Sequence, residues 1–302
     1  SRGLTKRLTS NETNAEDTKS ASYVSFDSNG FTLGDDQSGG SNANTVNSSS
    51  NNYVSWGWKA NGGTTSSNSD GSITSTVQAN TTAGFSIITY TGNFDTMTIG
   101  HGLSQAPEAL IIKNRDSDST SWVIYHKGLN FPTDDLIYFN TNAANQHDPT
   151  FNNTAPSSSV ITNGAYSFNN KNSESHVCYA FHSVKGYSKF GKYTGNITSG
   201  SDGTFVYTGF KPAWLMVKSD SNAGQEWVIF DNKRDTFNQM DGWLYAQATT
   251  TEDNSDERDV DFLSNGFKFR NAGGPTSYSG RTYIYFAFAE HPFVSSKGVP
   301  VT

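Results

Sequence analysis

The stretch Val24-Ser25-Phe26-Asp27-Ser28-Asn29-Gly30-Phe31-Thr32-Leu33 returns as Val260-Asp261-Phe262-Leu263-Ser264-Asn265-Gly266-Phe267-Lys268-Phe269. A looser copy lies at Val160-Ile161-Thr162-Asn163-Gly164-Ala165-Tyr166-Ser167-Phe168. Each copy alternates apolar and polar residues around an Asn-Gly pair. That pattern predicts two antiparallel strands joined by a type I′ turn. Three copies imply three repeated units, and the rest of the chain can be laid out on that count.

Further segments repeat at a constant offset. Tyr90-Thr91-Gly92-Asn93 reappears as Tyr193-Thr194-Gly195-Asn196, 103 residues on. Ala106-Pro107-Glu108-Ala109-Leu110-Ile111-Ile112-Lys113 matches Lys211-Pro212-Ala213-Trp214-Leu215-Met216-Val217-Lys218, with the prolines 105 apart. Trp122-Val123-Ile124-Tyr125-His126 matches Trp227-Val228-Ile229-Phe230-Asp231, again at 105. An aromatic strand closes each unit: Tyr53 to Lys59, Val177 to Phe181 and Tyr283 to Ala289. The predicted organisation is the second half of a β-sandwich unit over 1–62, a Gly/Ser/Thr/Asn linker or short hairpin over 63–83, and complete units over 84–186 and 187–302. Ser1 to Leu8 fall where, in the complete units, a polar turn follows the Trp strand, so the first unit is expected to lack its first half. Half a sandwich leaves strand edges and an apolar face open.

The composition agrees with an all-β fold of tandem antiparallel sandwich units. Asn, Ser, Thr and Gly dominate, 13% of residues are aromatic and only 16% are charged, a balance of polar turns and strand formers rather than helix formers. A net charge of -7 over 302 residues, without clustered Lys and Arg, argues against nucleic acid as a partner. No stretch approaches the length of a membrane span, and the first residues lack the apolar core of a signal peptide. Cys178 is the single cysteine. It can form no disulfide within the chain, and its apolar neighbours predict a small buried side chain.

The run of motifs in fixed order, Tyr193-Thr194-Gly195-Asn196, Tyr207-Thr208-Gly209-Phe210-Lys211-Pro212-Ala213, the Trp227 strand, the Asn265-Gly266 stretch and the close at Tyr285 to Phe293, resembles a repeat of virion structural, tail-fibre-like proteins of marine tailed bacteriophages. The resemblance extends from Arg2 to Phe293. It implies jelly-roll units similar to laminin-G and concanavalin-like domains, a place in the extracellular virion particle, and partners among other virion proteins, copies of the same chain in a homo-oligomer, and host surface glycan. It supplies no catalytic residues. The expectation is a non-enzymatic structural protein that contributes to host-surface attachment. The alternatives are a secreted or cell-surface carbohydrate-binding module of a bacterium and a glycan-degrading tail spike.

Candidate sites are sparse. The histidines at 101, 126, 147, 176, 182 and 291 show no i, i+4 metal spacing, and no nucleophile elbow, P-loop or dinucleotide fingerprint occurs. No catalytic residue and no metal ligand is assigned. Acidic loops at Asp116 to Asp118, at Asp134 and Asp135, and from Glu252 to Asp259 could supply oxygen ligands to calcium, the one cofactor considered. Sugar binding needs an aromatic face beside polar side chains. Trp56, Trp58, Trp122 and Trp227 lie in predicted core strands, so the binding candidates are Tyr138, Trp243, Tyr245 and Tyr278, with Asp134 and Asp135. The loops Asn140 to Ser159 and Thr249 to Asp259 are their expected setting.

Overall fold

The computed structural model describes residues 3–19, 22–34, 46–49, 51–130, 135–200, 203–255 and 257–290. The fold is all-β, built from antiparallel sheets, with one four-residue helix, Ser167–Asn170, and one short 3-10 turn among the described residues.

Each complete repeat is a sandwich of one large and one small sheet. In the middle repeat the large sheet runs Gln146–His147, Asp135–Tyr138, Val123–His126, Ala109–Asn114, Ser175–Phe181, Phe85–Thr91, Ser75–Asn80, Ser66–Asn68. Its small sheet pairs Met97–Gly100 with Val160–Asn163. In the last repeat the large sheet runs Ser188–Thr194, Thr282–Ala289, Pro212–Ser219, Val228–Asp231, Leu244–Tyr245, and the small one Phe205–Tyr207, Gly266–Phe269, Val260–Leu263. The stretch expected to be a linker or hairpin is therefore a hairpin, Ser66–Asn68 with Ser75–Asn80, that extends the edge of the middle repeat's large sheet.

Alternation along the strands sends side chains to two different cores. From the middle large sheet Ile88, Leu110, Ile112, Val123, Tyr125, Leu136, Cys178 and Ala180 point into the repeat's own core with Met97, Ile99 and Ile161. The alternate residues Phe85, Ile87, Ala109, Ile111, Ile124, Ile137, Tyr179 and Phe181 point the other way. There they meet Phe190, Trp214, Met216, Trp227, Ile229, Ile284, Phe286 and Phe288 of the last repeat, with Trp56, Trp58 and Ala60 of the first. The last repeat keeps a separate inner core around Leu215, Val217, Phe230, Phe262, Phe267, Tyr283 and Tyr285. Both large sheets are thus buried on both faces. That is why Ala109 to Ile112 and Tyr283 to Ala289 read as unbroken apolar runs instead of alternating ones.

The repeated Tyr-Thr-Gly-Asn motif has a structural role. The Tyr90 hydroxyl donates to the Asn169 carbonyl at 2.6 Å, and the Tyr193 hydroxyl donates to the Thr276 carbonyl. Each buried tyrosine pins the loop that leads into the closing strand. The glycine lets that loop cross the motif: a Cβ on Gly92 would lie 2.3 Å from the Lys171 carbonyl oxygen, and one on Gly195 would lie 2.4 Å from that of Tyr278.

The Asn-Gly stretches differ from the predicted type I′ hairpins. In the last copy Leu263 pairs with Gly266, so the loop is Ser264-Asn265, and neither residue has the positive φ of that turn. Gly266 instead begins a strand, and its missing side chain admits the neighbouring strand: a Cβ there would lie 2.1 Å from the Val206 carbonyl oxygen. The middle copy is no hairpin. Val160–Asn163 pairs with Met97–Gly100 and leads into Ser167–Asn170, taking the place that Gly266–Phe269 holds in the last repeat. The first copy does form a hairpin, Tyr23–Phe26 with Phe31–Leu33. Replacing Gly266 with Ala is expected to cost about 2 kcal/mol by forcing the three-stranded sheet apart, read as a lower urea midpoint at unchanged slope.

Candidate functional site

Two junctions between consecutive repeats use the same bonds. Each lysine at the end of the apolar strand turns its ammonium onto a carbonyl of the preceding repeat: Lys113 Nζ to Thr13 O at 3.0 Å, and Lys218 Nζ to Ala143 O at 2.7 Å. Each tryptophan of the Trp strand donates its indole N–H likewise: Trp122 to Thr9 O at 3.0 Å and Trp227 to Tyr138 O at 3.1 Å. A main-chain bond completes the set, Glu16 N to Arg115 O at 2.8 Å and Asn145 N to Asp220 O at 2.9 Å. The donors Lys113, Trp122 and the carbonyl of Arg115 each stand 105 residues before Lys218, Trp227 and that of Asp220. The arm residues Thr9, Thr13 and Glu16 stand 129 or 130 before Tyr138, Ala143 and Asn145. Residues 3–19 therefore hold the position, relative to the middle repeat, that residues following the Trp strand of the middle repeat hold relative to the last.

The junctions bury two lysines, Lys113 and Lys218. Burial lowers the ammonium groups of Lys113 and Lys218 to about 8. Both are still protonated near neutral pH, and carbonyl oxygens rather than carboxylates satisfy them. Arg115 makes a forked pair with Glu16, Nε to Oε2 at 3.0 Å and Nη2 to Oε1 at 2.9 Å, and this bond holds the guanidinium pKa above its ordinary value.

His126 lies between the two large sheets, its ring 5.2 Å from that of Phe286. Nδ1 accepts from the Gly128 N–H at 3.0 Å, and Nε2 reaches the Tyr285 carbonyl oxygen at 3.2 Å, a pattern that only the neutral Nε2–H tautomer satisfies. Burial lowers its pKa to about 3. Asp231, in the same place one repeat later, accepts from Lys233 and Arg234 main-chain N–H groups at 3.0 and 3.1 Å. Both residues cap the turn after the Trp strand, one as imidazole and one as carboxylate.

The first, middle and last repeats together line a cleft of about 1160 Å³. One wall carries Ile87, Ile111 and Tyr179, another carries Trp214, Ile229 and Phe288, and Trp56 and Trp58 enter from the first repeat. The Trp58 ring sits edge-on to Trp214 at 5.2 Å and to Phe288 at 5.4 Å. The buried indole N–H groups of Trp56 and Trp214 have no hydrogen-bond partner among the described residues.

The residues expected to bind sugar do not gather at this cleft. Trp243, read as a surface aromatic, is fully buried in the last repeat's inner core, where Arg258 stacks 4.8 Å from its ring. Its flanking loop is polar, yet its main chain bonds Asp253 in both directions and folds the ring inward. Tyr245 is half-buried, stacks on Arg258 at 5.4 Å and lines the cleft. Tyr138 is half-buried, and its hydroxyl donates to Asp148 Oδ2 at 2.8 Å. Tyr278 is exposed, with Arg281 over its ring at 4.6 Å. Asp135 is buried and accepts from Asn145 Nδ2 at 3.0 Å. Asp134 lies outside the described residues. Of the loop Asn140 to Ser159, residues 142–145 bind the last repeat, so that part is an internal contact.

The acidic loops are engaged by the fold: Asp116 accepts from Ser175 N at 2.6 Å, Asp118 from Ala15 N at 2.8 Å, and Glu252 pairs with Arg234 at 2.8 Å. No group of three or more His, Cys, Asp or Glu among the described residues is placed to hold a metal ion. His101 and His176 are buried and hydrogen-bonded to backbone, and His147 faces Asp135 at 3.5 Å. His291 lies outside the described residues. What sequence reasoning missed is the pair of lysines: their 105-residue spacing was visible, but the partner carbonyls carry no side-chain signature.

A family model described as Domain of unknown function (DUF7483) matches residues 1–292. No curated protein and no solved structure matches the chain.

Trp122→Phe and Trp227→Phe should each cost about 1 to 2 kcal/mol by leaving a junction carbonyl without its donor. The double variant should be non-additive in urea unfolding, because both indoles pack on Phe139, at 6.2 and 5.3 Å. Burial also lowers His176, to about 4. Both histidines are neutral when folded and bind protons more readily when unfolded, so their contribution to stability is complete above about pH 6.5. It is lost as the pH falls toward 4 and then 3. His126→Asn should flatten that part of the stability-against-pH curve measured by denaturant titration.

Proposed function

The chain belongs to the DUF7483 family of unknown function, and we propose that it is a non-enzymatic structural protein of a phage virion, part of a tail fibre or similar appendage that contributes to host-surface attachment. The observation that carries this reading is the junction made twice with the same bonds. A chain that repeats one rigid docking geometry presents equivalent loops in a fixed arrangement, so that weak single contacts add up. The donors meet main-chain carbonyls inside apolar surroundings, which fixes each repeat against the next and suits a part that transmits force.

The lining of the cleft favours a structural over a hydrolytic reading. Glycoside hydrolysis needs two carboxyls facing one another across a substrate cleft. The large cleft has aliphatic and aromatic walls, and Glu252 at its rim is tied to Arg234. For host attachment the exposed Tyr278 is the expected aromatic still at the surface, and repeated weak contacts at that level gain from avidity.

Electron microscopy of the intact particle should place this chain as a regular part of an appendage; a chain found only free in the medium would reject the reading. Purified protein incubated with host surface polymer should release no reducing ends. Release that disappears in Asp135→Asn would show the protein to be a depolymerase.

A further inference from the structure

We propose that Asn29 and Asn61 are sites of spontaneous covalent change, at which the side-chain amide is lost through a cyclic imide, while the fold shields Asn163 and Asn265 from the same reaction. This chemistry is independent of the virion reading.

The sequence holds four Asn-Gly pairs, at 29, 61, 163 and 265. Asparagine followed by glycine is the pair most open to the reaction, because no side chain shields the glycine nitrogen. That nitrogen attacks the Asn Cγ, an N–C bond forms and ammonia leaves. Water then opens the imide at one of its two carbonyls. One opening gives aspartate. The other gives isoaspartate, in which the main chain runs through the former side chain and is longer by a methylene. Water is the only co-reactant. The Asn-Gly peptide plane must turn until the glycine nitrogen faces Cγ, so a pair held by hydrogen bonds reacts only after local opening.

Two of the pairs are held. Asn163 is fully buried, and its Oδ1 accepts from Asn169 Nδ2 at 2.8 Å. The Gly164 N–H, the nucleophile there, donates to the Thr150 carbonyl at 2.8 Å. Asn265 is exposed, yet its carbonyl oxygen accepts from the Thr208 and Gly209 N–H groups at 2.9 and 3.1 Å. Gly266 is buried and paired on both sides, with Leu263 and with Tyr207. Turning that peptide would pull the small sheet apart.

The other two pairs are placed differently. Asn29 and Gly30 are both exposed, in the four-residue turn between Phe26 and Phe31. The bond that closes the turn, from Asp27 N to Gly30 O at 2.8 Å, uses the Gly30 carbonyl and not its N–H. Asn61 and Gly62 are exposed as well. A Cβ on Gly30 or on Gly62 would meet nothing within 4 Å, so both peptides have room to turn. Asn80 Nδ2 holds the chain just ahead of Asn61, at the Lys59 and Ala60 carbonyls at 3.2 and 3.3 Å, but the Asn61-Gly62 peptide lies beyond those bonds.

The two sites differ in consequence. At Asn29 the product places a new carboxylate two residues from Asp27, whose own carboxylate accepts from Thr32 Oγ1 at 3.0 Å. Isoaspartate there also lengthens a turn whose length sets the register of the hairpin. Asn61 sits in a bend outside the paired strands, so the change there is the milder one.

Peptide mapping by mass spectrometry tests this on the 302-residue chain held folded in mildly alkaline buffer, with the urea-unfolded chain as reference. Unfolded, all four pairs should lose ammonia at similar rates. Folded, Asn29 and Asn61 should keep nearly those rates, whereas Asn163 and Asn265 should react about 100-fold more slowly, the factor of an opening that costs about 2.7 kcal/mol. Gly30→Ala should block the reaction at Asn29 and leave Asn61 unchanged, since Gly30 lies outside the left-handed region and has space for a Cβ. Slowing of either Asn29 or Asn61 by folding to the level of the other two would overturn the proposal, and so would amide loss at Asn163 or Asn265 at the unfolded rate. A Gly30→Ala chain that still loses the Asn29 amide at the original rate would overturn the imide route.

Discussion

The aromatic core shared between repeats is the constraint on which the rest of the molecule depends. Phe181 of the middle repeat meets Phe190 and Phe288 of the last at 5.8 and 6.0 Å, and Phe190 in turn packs on Phe286 and Phe288 at 5.5 and 5.7 Å; removing one such buried ring costs about 3 to 5 kcal/mol in a typical core. A sandwich with one solvated face could stand alone. These cannot, because the outer face of each large sheet is as apolar as the inner one. Folding of one repeat and docking on the next are therefore parts of a single burial step. The polar bonds of the junction then select one register among the many that apolar contact would tolerate.

That selection carries a desolvation cost, seen in the lowering of both buried ammonium groups to about 8. A lysine buried beside carbonyl oxygens keeps its hydrogen bonds without bringing a second charge out of water. Arg115 and Glu16 do form a charge pair, and in the next junction Asp220 replaces Arg115 and pairs within its own repeat with Lys192 at 2.6 Å. The junction survives this exchange because its invariant part is main chain on one side.

Much of this was legible in the residues. Offsets of 103 to 105 identified the duplicated units, and the all-β fold followed from composition and alternation. The Tyr-Thr-Gly-Asn and Trp strands marked true equivalences. Other readings failed for physical reasons. A glycine after asparagine looks the same whether it serves a turn or lets a third strand approach, and only the Val206 contact separates the two at Gly266. Trp243 has the polar neighbours of a surface residue, but a short ladder with Asp253 folds it inward. The second face of the large sheets was hidden because apolar runs were credited to ordinary sandwich cores. Tyr138 serves the junction through its main-chain carbonyl and Tyr245 forms part of the cleft wall, placements that no side-chain pattern marks.

The acceptors Thr9 and Tyr138 share no chemistry beyond a peptide carbonyl, and the same holds for Thr13 and Ala143. A docking code written in lysine and tryptophan on one side and in bare backbone on the other places no demand on the accepting side chains. Those positions can drift freely, and a gene duplication or a recombination between paralogous copies yields a junction that works at once. Chains of this design can lengthen or shorten by whole repeats without coordinated change in two partners, an evolutionary freedom that side-chain-to-side-chain interfaces lack.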